Sequence, residues 1–263
     1  MTKIAIFTSN QPRHIAFVRS AAAMFDDIVV FIETTTLFPG EIEDFYSASS
    51  TMREYFGRVR KAESNVFGEM VPLPKLTAVF PMRMGDATHL PIAIVESFIE
   101  GRKILVFGAS YIRPPLIDAL VERQAMNIHV GIAPQYRGNS CNFWALNDGR
   151  PHLVGSTIHY LSRGLDTGDV LMHALPQPRD YDSFDLGMHA VRAGHMAILD
   201  LAARSEMPEA HAQDATKLIR YARKADFSDE VARKFLDRHP SGSEISRAQI
   251  AGNISGLVNP GWY

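Results

Sequence analysis

Three polar side chains in the middle of the chain could together move a proton and stabilise negative charge. Asn127 and His129 are two residues apart, and Asp166 lies between Gly164 and Gly168. Positions i and i+2 of a strand face the same side, so the amide and the imidazole would point together. A glycine-flanked loop can bring Asp166 to the ring and favour its protonated form. This set suits a reaction that builds charge on a carbonyl oxygen during proton transfer.

A sheet edge is needed to position these side chains. Buried strands are predicted by apolar runs at Ile4–Phe7, Ile28–Ile32, Lys103–Phe107 and Ala125–His129, and a helix by the pattern at His14–Phe25. Strand, helix and strand at the start of the chain form a βαβ unit with parallel strands. We therefore predict an α/β fold with a Rossmann-like, mostly parallel sheet and flanking helices. Ligands bind at the carboxyl ends of such strands, where His129 would lie.

The remaining pattern predicts further elements around this sheet and a C-terminal extension. Residues 34–75 are rich in Ser, Thr, Glu and Arg, which predicts a helical excursion or lid rather than a strand. The final Trp262 and Tyr263 predict a chain end docked on a surface. We expect a catalytic domain at residues 1–180 and a helical extension at 181–263, which is either part of the same domain or a dimer interface. Further helices are predicted at Leu90–Ile99, after Pro114, at Asn142–Leu146, from Ser183 to about Ala203, after Ser228 and at Ala248–Leu257, and strands at His152–Leu161 and Val170–Ala174.

Composition and motif counts exclude several classes of protein. The 27 Lys and Arg residues against 29 Asp and Glu give a net charge of −2, so no overall field attracts a nucleic acid. Cys141 is the one cysteine, which excludes an intrachain disulfide and fits a small buried side chain better than a nucleophile. The histidines lack metal-ligand spacing, and neither a dinucleotide fingerprint nor a P-loop is present. Without a signal peptide or a membrane-length apolar stretch, we expect a cytoplasmic protein with no metal and no membrane partner.

The motifs N-I-H, P-Q-Y-R-G and G-L-D-T-G-D, in this order, resemble the signature of the 10-formyltetrahydrofolate-dependent formyltransferases. The resemblance is clear over Lys103–Leu175. It implies the formyltransferase fold, with Asn127, His129 and Asp166 as the catalytic residues. The family usually has H-x-S-L-L-P after the asparagine, whereas Gly131 replaces the serine here and the double leucine is lost. This difference bears on the subfamily more than on the chemistry.

The resemblance also implies the co-substrate and the mechanism. N10-formyltetrahydrofolate would lie against the loop after the preceding strand and against Leu165. A substrate amine would attack the formyl carbon without a covalent intermediate. The Asn127 amide and protonated His129 would stabilise the resulting oxyanion, and Asp166 would hold His129 in position. The folate-binding residues implied in the first loop are Ser110, Tyr111, Ile112 and Arg113.

The substrate amine expected from the resemblance is a nucleotide-linked amino-deoxysugar. Methionyl-tRNA formyltransferases continue into a tRNA-binding domain where this sequence ends, and glycinamide ribonucleotide enzymes are usually shorter. The best match is the GDP-perosamine type of lipopolysaccharide O-antigen synthesis, which we expect to act as a homodimer. Another small amine such as glycinamide ribonucleotide, a non-catalytic folate- or nucleotide-binding module and a metal-dependent hydrolase are the alternatives.

Two segments are candidates for contacts with this substrate. Asn10, Arg13 and His14 lie at the first strand-to-helix turn, where helix N–H groups and a basic side chain can hold phosphates. Alternatively, these residues cap the helix and face solvent. Tyr136 and Arg137 form the Y-R-G turn, in which the arginine either contacts substrate or fixes the loop.

Overall fold

The central sheet has eight strands. The computed structural model describes residues 2–34, 49–69 and 72–263. In sheet order the strands are β10-β8-β7-β5-β4-β1-β2-β3, and all neighbours are parallel except that β7 is antiparallel to both β5 and β8. The predicted α/β fold with a mostly parallel sheet is therefore confirmed. The strands are β1 (Ile4–Ser9), β2 (Ile28–Thr34), β3 (Ala78–Arg83), β4 (Lys103–Phe107), β5 (Met126–His129), β7 (Ser156–Tyr160), β8 (Val170–Leu175) and β10 (Gly261–Trp262), while β6 (Tyr136–Gly138) and β9 (Arg220–Ala222) form a separate pair.

Helices cover both faces of the sheet. Among the described residues, no helix is both long and apolar enough to span a membrane. Ser49 and Ser228 begin their helices by accepting backbone N–H bonds, and Asp182 caps the longest helix by accepting from Phe184 N–H. The helices are α1 (Pro12–Ala22), α2 (Ser50–Phe67), α3 (Ile92–Ile99), α4 (Leu116–Glu122), α5 (Cys141–Asn147), α6 (Ser183–Ala203), α7 (Asp229–Asp237) and α8 (Gly242–Ala251).

Alternate side chains of β1 point to opposite faces of the sheet, which explains why the strand is continuously apolar. Ile4 and Ile6 are buried in the core cluster that includes α1 and α6. Ala5 and Phe7 are buried in the cluster that includes α3 and α4. A parallel strand with helices on both faces must be apolar at every position. The buried sheet therefore leaves its polar groups at the carboxyl ends of the strands.

The segment after residue 180 shares its core with the segment before it. Tyr55 of α2 contacts Phe143 of α5, Phe184 of α6 and Phe227, with ring centroids 5.8, 5.3 and 4.9 Å apart. Phe235 of α7 is buried in the same cluster. These contacts join aromatic side chains from both segments in one core, and the division at residue 180 stays a prediction.

The structure differs from the sequence predictions at one strand and one helix, and part of a third predicted segment lies outside the described residues. The edge strand β3 was not predicted, because Pro81 interrupts its pattern, and proline is tolerated on an edge where no partner needs its N–H. The helix predicted at Ala248–Leu257 lies at Gly242–Ala251, where Ser241 and Glu244 form a capping box. The helical part of 34–75 is confirmed by α2, while 35–48 and 70–71 lie outside the described residues.

The predicted docking of the chain end is confirmed. Gly261 and Trp262 pair in parallel with β8. Tyr263 N–H then donates to the Leu175 carbonyl at 2.9 Å, and Gln177 N–H donates to the Tyr263 carbonyl at 3.0 Å. The terminus thus protects the edge of the sheet beside β8.

Replacing Tyr55 tests whether the C-terminal helices belong to the same core. We expect Tyr55→Ala to lower the free energy of unfolding by about 3 kcal/mol or more, because it leaves a cavity among several aromatic rings. Urea denaturation measures this change. The matched control is Tyr221→Ala, since Tyr221 is exposed and its loss should cost less than about 0.5 kcal/mol. Equal small losses in both variants would contradict the shared core.

Candidate active site

The three predicted catalytic side chains meet at the carboxyl end of β5. His129 Nδ1 lies 3.1 Å from Asp166 Oδ2. Asn127 is two residues before His129 on the same strand, and its Nδ2 lies 3.0 Å from Nε2 of His159. His159 Nε2 in turn is 3.6 Å from Asp166 Oδ1. The structure therefore brings all three residues together, with a second imidazole between two of them.

The surroundings of His129 favour its doubly protonated form. Nδ1 faces the Asp166 carboxylate, and Nε2 lies 3.4 Å from the backbone carbonyl of Tyr136. Both oxygens can only accept hydrogen bonds, so both ring nitrogens can donate. Burial alone would lower the pKa of His129, but the contacts with Asp166 and with Cys141 outweigh it and raise the pKa to about 10. The ring can thus remain cationic at neutral pH.

Asp166 is held in its charged form by the same contact. Burial would raise the pKa of Asp166, but the hydrogen bond with His129 keeps it well below the usual range. The carboxylate side chain is 18% exposed. A negative charge in so poorly hydrated a place persists because a cation and its hydrogen bond compensate for the lost water.

His159 was not predicted as a site residue, yet it orients the Asn127 amide. Its Nδ1 lies 2.7 Å from the Tyr160 carbonyl, so Nδ1 carries the proton in the neutral ring. Nε2 then accepts from Asn127 Nδ2, which leaves the second amide hydrogen for a ligand. Asn127 and His159 are direct cross-strand partners between β5 and β7. The sequence contains the strand and its histidine but not this pairing.

Close backbone packing fixes the loop that carries Asp166. A Cβ at Gly168 would lie 1.7 Å from the Tyr160 carbonyl oxygen, so only glycine allows this approach. On the other side of the site, Thr157 Oγ1 donates to the Gly131 carbonyl at 2.6 Å and accepts from Ala133 N–H at 2.9 Å. Thr157 thereby holds the turn that follows His129.

Gly131 and Cys141 share one space beside His129. A Cβ at Gly131 would lie 2.4 Å from Cβ of Cys141 and 2.9 Å from Nε2 of His129. The position therefore has no room for the serine usual in formyltransferases unless both Cys141 and His129 shift. Cys141 is buried, as predicted for a small apolar side chain.

The loop predicted to bind folate is anchored by a buried carboxylate. Glu33, at the end of β2, is 1% exposed. It accepts from Ser110 N–H at 2.6 Å, from Ser110 Oγ at 2.8 Å and from Gly85 N–H at 2.9 Å. Ser110 is therefore used for anchoring, and its hydroxyl is engaged with Glu33. Sequence reasoning did not identify Glu33.

The other residues predicted for folate differ in exposure. Ile112 is buried, and Arg113 donates its backbone N–H to Thr88 Oγ1 at 3.3 Å. Tyr111 is exposed and lies under the Arg113 guanidinium. Leu165 is also exposed and lies next to Asp166. Tyr111, Arg113 and Leu165 thus remain available to a ligand, whereas Ile112 can offer only its backbone.

Most side chains predicted to hold phosphate are engaged internally. Arg13 forms an ion pair with Glu63 of α2 at 2.8 Å, and its backbone N–H donates to the same oxygen at 3.1 Å. His14 is buried beneath Gly108, and burial lowers its pKa well below the usual value. A neutral, buried ring does not attract phosphate, so we assign His14 to the core. Asn10 lies at the turn between β1 and α1.

Tyr136 and Arg137 are also used within the protein. The Tyr136 side chain is buried, and its hydroxyl donates to Asp148 Oδ2 at 3.2 Å. The Arg137 guanidinium donates to the Leu165 carbonyl at 3.3 Å. This contact supports the loop-fixing role of Arg137 over a substrate contact, and burial removes Tyr136 from the substrate-binding candidates.

Metal ligation has no support in the described part of the chain. There, no group of three or more His, Cys, Asp or Glu side chains is arranged to hold an ion. The buried histidines have other roles: His173 lies 2.7 Å from the Ala133 carbonyl, and His195 packs on Phe17, Phe67 and Phe107.

Comparison with known proteins matches the segment that contains this site. Residues 103–198 match the family model described as formyl transferase. This match covers 96 of the 263 residues and includes Asn127, His129 and Asp166. Similar sequences include methionyl-tRNA formyltransferases of Koribacter versatilis, 30% identical over 44% of this chain and 39% of that protein, and of Pelotomaculum thermopropionicum, 33% identical over 35% and 28%. The matched region thus spans well under half of these relatives.

Similar solved structures extend over nearly the whole chain and agree in fold. A protein from Mycobacterium tuberculosis described as a "likely sugar N-formyltransferase" aligns with a TM-score of 0.55 and 18% identity, covering 97% of this chain and 89% of that one. A sugar N-formyltransferase from a Shewanella species aligns with a TM-score of 0.51 and 13% identity, covering 98% and 92%. The fold predicted from the sequence is therefore the fold of these formyltransferase structures.

Removing the Asp166 charge tests the proposed origin of the His129 cation. We expect Asp166→Asn to lower the pKa of His129, because the carboxylate that opposes the effect of burial is then lost. An NMR titration of the His129 ring measures the shift. Asp27→Asn is the control, since Asp27 forms its ion pair with Arg102 and not with His129. An unchanged His129 titration in Asp166→Asn would contradict the assignment.

Proposed function

We propose that the protein is an N-formyltransferase that moves a formyl group from N10-formyltetrahydrofolate to an amine. The observation that carries this proposal is the contact of His129 with Asp166 beside the Asn127 amide. A cationic imidazole and an oriented amide donor are the groups needed to stabilise an oxyanion on a formyl carbon. The match of residues 103–198 to formyl transferases supports the same reaction.

Asn127, His129 and Asp166 have different roles in the proposed reaction. The lone pair of the neutral amine attacks the formyl carbon, and its carbonyl oxygen becomes an oxyanion. The free amide hydrogen of Asn127 and the Nε2 proton of His129 stabilise that charge, the latter because its 3.4 Å contact with Tyr136 is weak. The C–N10 bond then breaks as the amine loses a proton and N10 gains one. Asp166 keeps His129 charged and oriented throughout.

We propose a nucleotide-linked amino-deoxysugar, with GDP-perosamine as the specific candidate, as the amine. Support comes from the coverage of the fold, because the sugar N-formyltransferase structures align with 97% and 98% of this chain, including the elements after residue 180. The net charge of −2 also disfavours a large polyanion as partner. Tyr111, Arg113 and Leu165 are the predicted folate contacts that remain exposed or partly exposed for the co-substrate.

Methionyl-tRNA is the second candidate substrate, because it is the substrate named for the curated sequence relatives. These relatives match only the segment around the catalytic residues. Glycinamide ribonucleotide, the smaller alternative, shares the same chemistry. The reaction proposed for Asn127, His129 and Asp166 is the same in all three cases, and the substrate must be determined by assay.

A substrate panel tests the proposed function directly. The protein is mixed with N10-formyltetrahydrofolate and, separately, GDP-perosamine, other nucleotide-linked amino sugars, glycinamide ribonucleotide and methionyl-tRNA. We expect a mass gain of one formyl group on an amino sugar. Formylation of methionyl-tRNA or glycinamide ribonucleotide alone would reject the sugar, and no formylated product from any amine would reject the transferase.

Variants of the two oxyanion donors test the roles of the residues. We expect Asn127→Ala and His129→Ala to lower kcat by roughly two to three orders of magnitude, since one lost donor costs about 3 kcal/mol in the barrier. Steady-state kinetics with the formylated amine measure the change. The control Asn253→Ala removes an exposed amide that accepts from Ser255 N–H, and it should leave kcat unchanged. Turnover at the wild-type rate in Asn127→Ala would remove that residue from the mechanism.

A further inference from the structure

Gln213 lies between α6 and β9 and reaches the loop that carries Asp166. Its Nε2 donates to the Asp166 carbonyl at 2.7 Å and to the Gly168 carbonyl at 2.9 Å. Both acceptors are carbonyl oxygens, so only the NH₂ end of the amide can face them. The two hydrogens of one side chain therefore hold two backbone positions of the loop.

These bonds continue a short antiparallel ladder. His211 and Val170 exchange two backbone hydrogen bonds of 2.9 and 2.8 Å just before Gln213 and just after Gly168. The Gln213 side chain then takes the place that the next backbone pair would occupy. Because Val170 begins β8, the ladder connects the sheet to Asp166 itself.

The backbone of Asp166 has a conformation that needs such support. Its φ of 51° lies in the left-handed region, which residues other than glycine adopt infrequently. Leu165 beside it is exposed, so packing of its side chain does little to restrain the loop. The side-chain bonds from Gln213, together with that from Arg137 to the Leu165 carbonyl, supply the restraint.

We propose that Gln213 is a positioning residue that keeps the Asp166 carboxylate on the His129 ring by holding the Asp166 and Gly168 carbonyls. Gln213 does not touch the reacting atoms. Its effect on rate rests on the formyl transfer proposed above, whereas its effect on the charge of His129 does not. The two consequences can therefore be measured separately.

The titration of His129 reports the position of Asp166, because the other titratable side chains near the ring lie on elements other than the Asp166 loop. Cys141 faces it from α5, His159 lies on β7 and His173 lies on β8, while Asp166 comes from the loop. A change in the Gln213 side chain alters no charge and acts on the loop. A shift in the His129 titration would then reflect movement of Asp166.

The test replaces Gln213 with methionine, which has a similar length and no hydrogen-bond donor. We expect the His129 titration midpoint, measured by NMR, to fall by at least about one pH unit in Gln213→Met. With the formylated amine, kcat should fall about tenfold or more while KM for both substrates changes less than about threefold, because the reacting groups lose alignment rather than affinity. A wild-type titration in a folded Gln213→Met protein would overturn the proposal.

The matched control is Thr216→Val, a neutral change in the same segment. Thr216 Oγ1 donates to Asp214 at 2.6 Å and does not contact the Asp166 loop. We expect Thr216→Val to keep the wild-type His129 titration and kcat. An equal shift in both variants would show general loosening of the segment and would overturn a specific role for Gln213.

A measurement on the wild-type protein tests the role of Gln213 if Gln213→Met does not fold. The Gln213 side-chain amide protons should exchange with solvent more slowly than those of Gln177, which is exposed. Exchange as fast as that of Gln177 would overturn the proposal. If the wild-type protein formylates no amine, the proposed function fails, but the His129 titration and this exchange still decide the role of Gln213.

Discussion

A buried ion pair between His129 and Asp166 is the interaction on which the site depends. Burial disfavours the charge on each partner, and the contact between them favours both charges. Together they keep a proton donor at a place where a carbonyl oxygen can become an oxyanion. Solvent screens this pair less than a surface salt bridge. The main effect of the pair is to keep both His129 and Asp166 charged.

The fold brings these partners together from distant parts of the chain. The ring of His129 stands at the end of β5, and the antiparallel strand β7 beside it contributes His159 and leads into the Asp166 loop. Glu33 performs a similar task for the neighbouring loop by joining the ends of β2 and β4. Side chains that accept from or donate to the loop backbone thus help to determine where the side chains of the candidate site lie.

The sequence was sufficient for the sheet class and for the strands β1, β2, β4, β5, β7 and β8, because those depend on local periodicity. A compact motif was also sufficient to predict that Asn127, His129 and Asp166 lie close together. It was insufficient for β3, whose edge position tolerates Pro81, and for His159, whose role arises from a cross-strand pairing. The phosphate role predicted for His14 fails for a related reason, since its type suggests a surface ligand while the fold buries it beneath Gly108. Residues that act through tertiary contacts leave no pattern in a single sequence.

The charge of His129 in the wild-type protein is the most direct test of this account. ¹⁵N NMR of the histidine rings at neutral pH distinguishes a ring with both nitrogens protonated from either neutral tautomer. The account predicts that both nitrogens of His129 carry protons, with Nδ1 bonded to Asp166. A neutral His129 ring at that pH would contradict it.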